Sequence, residues 1–356
     1  MKGEIDNMKL MCENKTIHLR MDISEKNSML ITGGSRTGKT FLASNLAADL
    51  VRTGKTVHLI DLGEKWSLQD KNRLYAAGAL EQKAENQGVR LVFGSKTELT
   101  GCVKYITSAL GIRSIAAQSA LKIVFQQLLD RINVFSFQNL FNELEIRKAL
   151  GIDGDSIKWM EILCERIDSC GDIPDIHFSV WKDDNQFSNS SMIWDLAELD
   201  ETYVKMAASL ITYCLYCQKK REFKNGNKSD QLFIIIDEFQ NLGCDKKSII
   251  GTCLTEGQKY GLNLVLITQF LNGNFSDAVI AQFKQGGFRF HFRLTEEEAN
   301  IISKQLSYNN QSQMILYQCL KTLPKGSCIL LGPHSVGNRQ DISEEFRFLE
   351  VVEGKS

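Results

Sequence analysis

The chain has 356 residues, of which 43% are hydrophobic and 24% charged, and its formal net charge is -1. A chain of this length and composition folds with about three quarters of its unfolded surface buried, which excludes a disordered or fibrous protein. It has no global basic field, so contact with nucleic acid needs a local patch or a channel built by several subunits.

In chain order, residues 9 to 23 read as a small hairpin leading to the short strand "SMLIT", Ser28 to Thr32. A glycine-rich turn, a helix through "TFLASNLAADLVRTG" and a second strand "TVHLID" follow, a strand-loop-helix-strand unit of the parallel-sheet kind. From about residue 97 to 170 the apolar spacing is helical, as in "SIAAQSALKIVFQQLLDRI" and "SIKWMEILCERIDSC". Strands resume at "IHFSV" and "SMIWDL", then come a long helix from Glu201 to Phe223 and a polar loop "KNGNKSD". The most apolar strand, "LFIIID", is followed by a helix containing "GTCLTEGQKYG", the strand "NLVLIT" and a helix from Ser276. The strand "FRFHFRL", helices opened by a capping box from Thr295 to Glu298, and a last strand "SCILLG" complete the chain.

The expected fold is therefore α/β, with a mainly parallel central sheet flanked by helices and an all-helical insertion. Residues 1–96 and 173–356 form the two parts of the core, and residues 97–172 the insertion. Ten cysteines are scattered. The close pair Cys214 and Cys217 lies on a helical stretch with no second C-x-x-C to complete a zinc site, so buried or reduced thiols are expected. The N-terminal "MKGEIDNMKLMCENK" lacks the apolar core of a signal peptide. No run approaches the roughly 18 apolar residues of a membrane span, and a cytoplasmic protein with no membrane span is expected.

"GGSRTGKT" fits G-x-x-x-x-G-K-[ST] and stands after a strand and before a helix, where the physics needs it. The loop from Gly33 through Gly34, Ser35, Arg36, Thr37 and Gly38 to Lys39, Thr40 and Phe41 is expected to hold a nucleotide. Successive N–H groups and the helix N-terminus would wrap the phosphates. Lys39 would neutralise the β and γ phosphates, and Thr40 would supply an oxygen to Mg²⁺. "LFIIIDEFQNL" adds a buried strand that delivers Asp237 to the carboxyl edge of the sheet as a second Mg²⁺ partner. Glu238 is placed to polarise a water for in-line attack, an acid pair that suits hydrolysis better than phosphoryl transfer to a substrate. "NKSD", Asn227 to Asp230, has the guanine-reading form N-K-x-D but precedes its strand instead of following one, so ATP is expected over GTP.

On "NSMLITGGSRTGKT", "LFIIIDEFQNL", "TEGQKYGLNLVLITQ" and "AQFKQGGFRFHFRLTEEEANII", about half of the chain, the sequence resembles the HerA/FtsK superfamily of P-loop motor ATPases. That group includes HerA-like helicases, FtsK translocases, conjugation ATPases and viral packaging ATPases. The resemblance implies a RecA-like core, a homo-oligomeric, hexameric ring with ATP between subunits, and DNA as the translocated polymer. A nuclease or other effector protein is a further implied partner. It also implies that Gln269, ending the strand beside the acid strand, senses the γ-phosphate; a strand-ending amide can both donate to phosphate and hold water. HerA-like members commonly read E-G-R-K-Y-G, with the arginine reaching a neighbouring site, whereas here the position is Gln258. A trans arginine is worth about 10³ to 10⁵ in rate. Lys259 could substitute as a point charge, Arg289 or Arg293 could serve, or hydrolysis could be slow; the fork of a guanidinium favours Arg289 or Arg293. The stretch before Ser28 is too short for the N-terminal β-barrel of HerA-type helicases, so partner recruitment is expected through the insertion or another protein. The basic cluster Lys219, Lys220, Arg221 and Lys224 could contact DNA, but cations at a helix C-terminus are favoured by the dipole anyway, and that is the preferred reading. Two other readings stand beside the DNA motor: a nucleotide-gated switch that recruits a partner through the insertion, and a protein-transporting ATPase of the conjugation or secretion type.

Overall fold

A computed structural model describes residues 9–12, 15–19, 21, 27–63, 66–83, 88–132, 134–151, 157–180, 190–226, 231–242, 248–269, 287–307, 309–336 and 347–352. The chain forms two compact units. One comprises Met1–Leu59, Lys65–Leu80 and Asp230–Ser356, and the other Ile60–Glu64 and Glu81–Ser229. The expected helix from Ser276 and the "NKSD" loop lie outside the described residues.

The elements begin with β1 (Lys9–Cys12), β2 (Lys15–Leu19), β3 (Met29–Thr32), α1 (Lys39–Arg52), β4 (Thr56–Asp61), α2 (Leu68–Ala76) and β5 (Leu80–Lys83). Then follow β6 (Val89–Phe93), α3 (Lys96–Thr100), α4 (Cys102–Ala109), α5 (Ile115–Arg131), β7 (Val134–Ser136), α6 (Phe137–Leu150), α7 (Ile157–Asp168), β8 (Ile176–Val180), β9 (Met192–Asp195) and α8 (Glu201–Lys224). The remainder is β10 (Leu232–Asp237), α9 (Ile249–Glu256), β11 (Leu262–Thr268), β12 (Phe288–His291), α10 (Glu296–Leu306), α11 (Asn310–Thr322), β13 (Ser327–Leu331), β14 (His334–Val336) and β15 (Arg347–Val352).

In the first unit the strands run in the order β14-β2-β1-β15-β13-β12-β3-β11-β10-β4. Strands β12, β3, β11 and β10 are mutually parallel, and β13, β15, β1, β2 and β14 extend them antiparallel. Every residue of β10 and of β11 is buried, which is why both read as near-continuous apolar runs rather than as alternating ones. Helix α1 buries Leu42, Ala43, Leu46, Ala47 and Leu50. Past β12, Leu294, Ile302, Leu316, Leu320 and Ile329 close a smaller core under α10 and α11.

In the second unit β6 pairs parallel with β8, and β7 pairs antiparallel with β8. The rings of Phe125, Phe135 and Phe178 meet at 5.3 to 5.5 Å between centroids and tie α5 to this small sheet. Among the described residues of 97–172, β7 is the one strand among the helices α3 to α7. Three residues are too short for alternation to register, and the partner that makes them a strand lies two helices further on.

Candidate nucleotide site

The turn after β3 is shaped by positive φ at Gly33 (155°), Arg36 (59°) and Gly38 (118°). Gly38 caps α1 in a left-handed conformation, no side chain caps the helix, and no acidic residue stands in its first turn. The first N–H groups are thereby left for an anion. The loop is held from behind by residues that no motif announces. Gly34 N donates to the Arg293 carbonyl at 2.8 Å, and Gly326 N to the Thr37 carbonyl at 2.9 Å. A Cβ on Gly33 would stand 2.6 Å from Phe292 Cβ, and one on Gly38 3.1 Å from Phe292 Cε1 and 3.3 Å from Gly326 Cα. Gly33→Ala is accordingly expected to cost about 1 to 3 kcal/mol by overpacking against Phe292, read as a lowered midpoint in chemical denaturation. An unchanged midpoint would show that the loop is not seated on β12.

Lys39 is buried, and its ammonium donates to the Gly34 carbonyl at 2.8 Å. Burial lowers its pKa, opposed by the charges of Asp237, Glu238 and Glu298. Thr40 Oγ1 donates to Asp237 Oδ2 at 3.4 Å, long for a hydroxyl bond. Burial pushes the Asp237 carboxyl up to about 6 against the pull of Lys39. A hydroxyl and a carboxylate oxygen are the hard donors that suit a cation such as Mg²⁺, and a cation would relieve the burial cost of the Asp237 charge.

Glu238 follows with φ of 51°, a left-handed conformation rare for a residue with a side chain. Its N–H donates to Asp237 Oδ1 at 2.9 Å. Its Oε1 accepts from Gln269 Nε2 at 2.7 Å. The register explains the meeting: Asp237 pairs with Ile267 and Thr268 with Thr32, so residues 33, 238 and 269 leave three neighbouring strands at one edge. Sequence reasoning put Gln269 at this edge but did not foresee that it grips Glu238.

The arginine candidates separate. Arg289 lies mid-strand opposite Leu30 and Leu331, two residues short of the loop edge, with its Nε enclosed and unpartnered among the described residues. The alternation of β12 gives the facing of a side chain but not its depth along the strand, which the register places here. Arg293 is exposed just past β12, at the loop edge. Gln258 and Lys259 are exposed on the turn Gly257–Tyr260. Phe41 carries the Arg73 guanidinium 4.9 Å from its ring centroid, and Arg73 is paired with Asp70 at 2.7 Å.

One strand residue buttresses the loop from below. His291 Nδ1 shares a hydrogen with Thr32 Oγ1 at 2.7 Å, just before Gly33. Burial, reinforced by the charge of Arg289, holds His291 down at about 3 against an ordinary value of 6.5. The unfolded chain thus takes up a proton near pH 6.5 that the folded one refuses. His291 stabilises fully above that pH and less as pH falls towards 3, by up to about 1.4 kcal/mol per unit. His291→Gln is expected to show a shallower acid loss of stability than the parent protein in denaturation curves between pH 6.5 and 4; parallel losses would refute this.

In the second unit three of the four residues of the basic cluster have partners within the unit, and Lys224 is exposed. Lys219 is buried and paired with Glu222 at 2.8 Å, Arg221 stands 3.7 Å from Glu98, and Lys220 lies over the Tyr216 ring. Cys214 Sγ donates to the Val92 carbonyl at 3.2 Å, and burial raises both Cys214 and Cys217 to about 12. No group of three metal-ligating side chains occurs among the described residues, and no described helix is long and apolar enough to cross a membrane.

This fold and this edge define a RecA-like P-loop NTPase fold. The chain is similar to the structure of VirB4 of Thermoanaerobacter pseudethanolicus, with a TM-score of 0.67, 12% identity, and coverage of 97% of this chain and 96% of that one. It is similar also to the bacterial conjugative coupling protein TrwB in its unbound form, with a TM-score of 0.62, 13% identity, and coverage of 98% and 89%. TrwB in complex with ADP and Mg²⁺ matches with a TM-score of 0.58, 12% identity and the same coverage. No family model matches the sequence, and no curated protein matches it.

Proposed function

We propose that this chain is an ATP-hydrolysing motor that assembles as a homo-oligomeric, hexameric ring and moves DNA. The observation that carries the hydrolytic part is the convergence of Lys39, Thr40, Asp237, Glu238 and Gln269 on one edge of the sheet, with the acid fixed by Gln269 at 2.7 Å. The likeness to a conjugative coupling protein that was captured with ADP and Mg²⁺ supports the nucleotide, the cation and the motor class.

Thr40 and Asp237 would hold Mg²⁺, whose charge offsets that of the β and γ phosphate oxygens. Lys39 neutralises the same oxygens, and the loop N–H groups fix their position. Glu238 accepts a proton from a water molecule as the water oxygen bonds to the γ phosphorus and the bond to the β–γ bridging oxygen breaks, giving ADP and phosphate. Gln269 keeps the carboxylate aimed and changes partner when the terminal phosphate is lost, which makes it the reporter of nucleotide state. Arg293, exposed at the edge, is the arginine placed to serve a neighbouring subunit.

A nucleotide-gated switch is the second reading, favoured by the exposed Gln258 where the resemblance expects arginine. ATP turnover measured with and without long duplex DNA tests the motor. Stimulation by DNA together with ATP-dependent assembly is the expected result, and a strictly monomeric, unstimulated protein overturns it. Stimulation by an unfolded polypeptide instead would move the proposal to protein transport.

A further inference from the structure

Among the described residues, Glu238 and Arg36 are the two that combine a side chain with a positive φ, 51° and 59°. Such a backbone is costly for an L residue and ordinary for glycine, and it concentrates at functional sites. The nucleotide reading above gives Glu238 its reason. It gives Arg36 none, because the loop needs only the Arg36 N–H, which glycine would supply at lower cost.

The side chain is therefore the unexplained part. Arg36 is exposed, and its guanidinium makes no hydrogen bond or ion pair with another described residue. Its base is fixed, since Gly34 N is held by the Arg293 carbonyl at 2.8 Å and the Thr37 carbonyl by Gly326 N at 2.9 Å. Thr37 is buried, and its hydroxyl donates back to the Gly34 carbonyl at 2.9 Å, closing the loop around Ser35 and Arg36. A guanidinium with no partner among the described residues thus stands on a rigid tip three residues before Lys39.

We propose that Arg36 supplies a positive charge from within the chain, its guanidinium contacting the terminal phosphate of the nucleotide held by the same loop. This rests on the nucleotide reading above and deepens it. Guanidinium is always charged and presents a planar fork of donors that matches phosphate oxygens, and it is weakly hydrated, so little is lost when water leaves the site. The backbone strain at φ of 59° is then the cost of placing that fork at the tip.

Arg36→Gly removes the guanidinium and relieves the backbone together, and kcat reads the first while the melting temperature reads the second. The expected result is a fall in kcat of about tenfold or more, by analogy with loss of one preorganised donor, with a melting temperature unchanged or raised. Affinity for a fluorescent ADP, which lacks the terminal phosphate, should stay within about twofold of the parent protein, because the fork has no partner on it. Arg36→Lys, which keeps charge but not the fork, should fall between the two. A kcat within about twofold of the parent overturns the proposal, as does a loss of ADP affinity matching the loss of kcat. A parent protein that turns over no ATP overturns the nucleotide reading as well, whereas an active parent with an equally active Arg36→Gly overturns this inference alone.

Discussion

Glu238→Gln is expected to lower ATP turnover by about 10² to 10⁴ while leaving the nucleotide bound. The substitution is nearly isosteric, and the amide oxygen can still accept from Gln269 Nε2, so the 2.7 Å contact that fixes the side chain survives. What disappears is the capacity to take a proton from water. Turnover by phosphate release, paired with ATP affinity by equilibrium titration, reads both halves; affinity lost in proportion to turnover would show that Glu238 binds rather than catalyses. The same variant separates the two functional readings. Trapped with ATP, a motor loses all transport, whereas a switch keeps its partner.

Lys39→Ala is the second large effect. At the roughly 4 kcal/mol that a unit pair gains at contact distance in a partly buried site, loss of the ammonium should weaken ATP binding by about 10² to 10³. It should also strip Asp237 of the positive charge that offsets its burial, so the free protein is expected to lose stability as well. Affinity measured by titration and the denaturation midpoint test the two consequences separately. Binding within about threefold of the parent would remove Lys39 from the phosphate site.

The parts of this site carried by contiguous residues were legible in the sequence. "GGSRTGKT" and "LFIIIDEFQNL" each combine a buried strand with the polar residues at its end, so type, spacing and placement coincide. Gln269 was legible as a position but not as a contact, because a bond to a residue 31 places earlier depends on strand order and rotamer. The seat of the loop was not legible at all. The Arg293 carbonyl and Gly326 N act through the backbone, which every residue type carries, and Phe292 looks like any aromatic on a strand. The basic run on α8 reads chiefly as cations gathered at a helix C-terminus, but its i,i+3 pair, Lys219 with Glu222, and the burial of that lysine were not legible. In the same way β7 escaped notice because three residues give no period to read.

The seat also sets a schedule. The phosphate loop is made at residues 33–40, but the groups that clamp it, Phe292, Arg293 and Gly326, leave the ribosome only after the whole intervening stretch has been synthesised. Until then the growing polypeptide carries the nucleotide motif without the shape that makes it bind. On the proposed function, hydrolysis is thereby withheld from a nascent chain that has not yet reached Gly326.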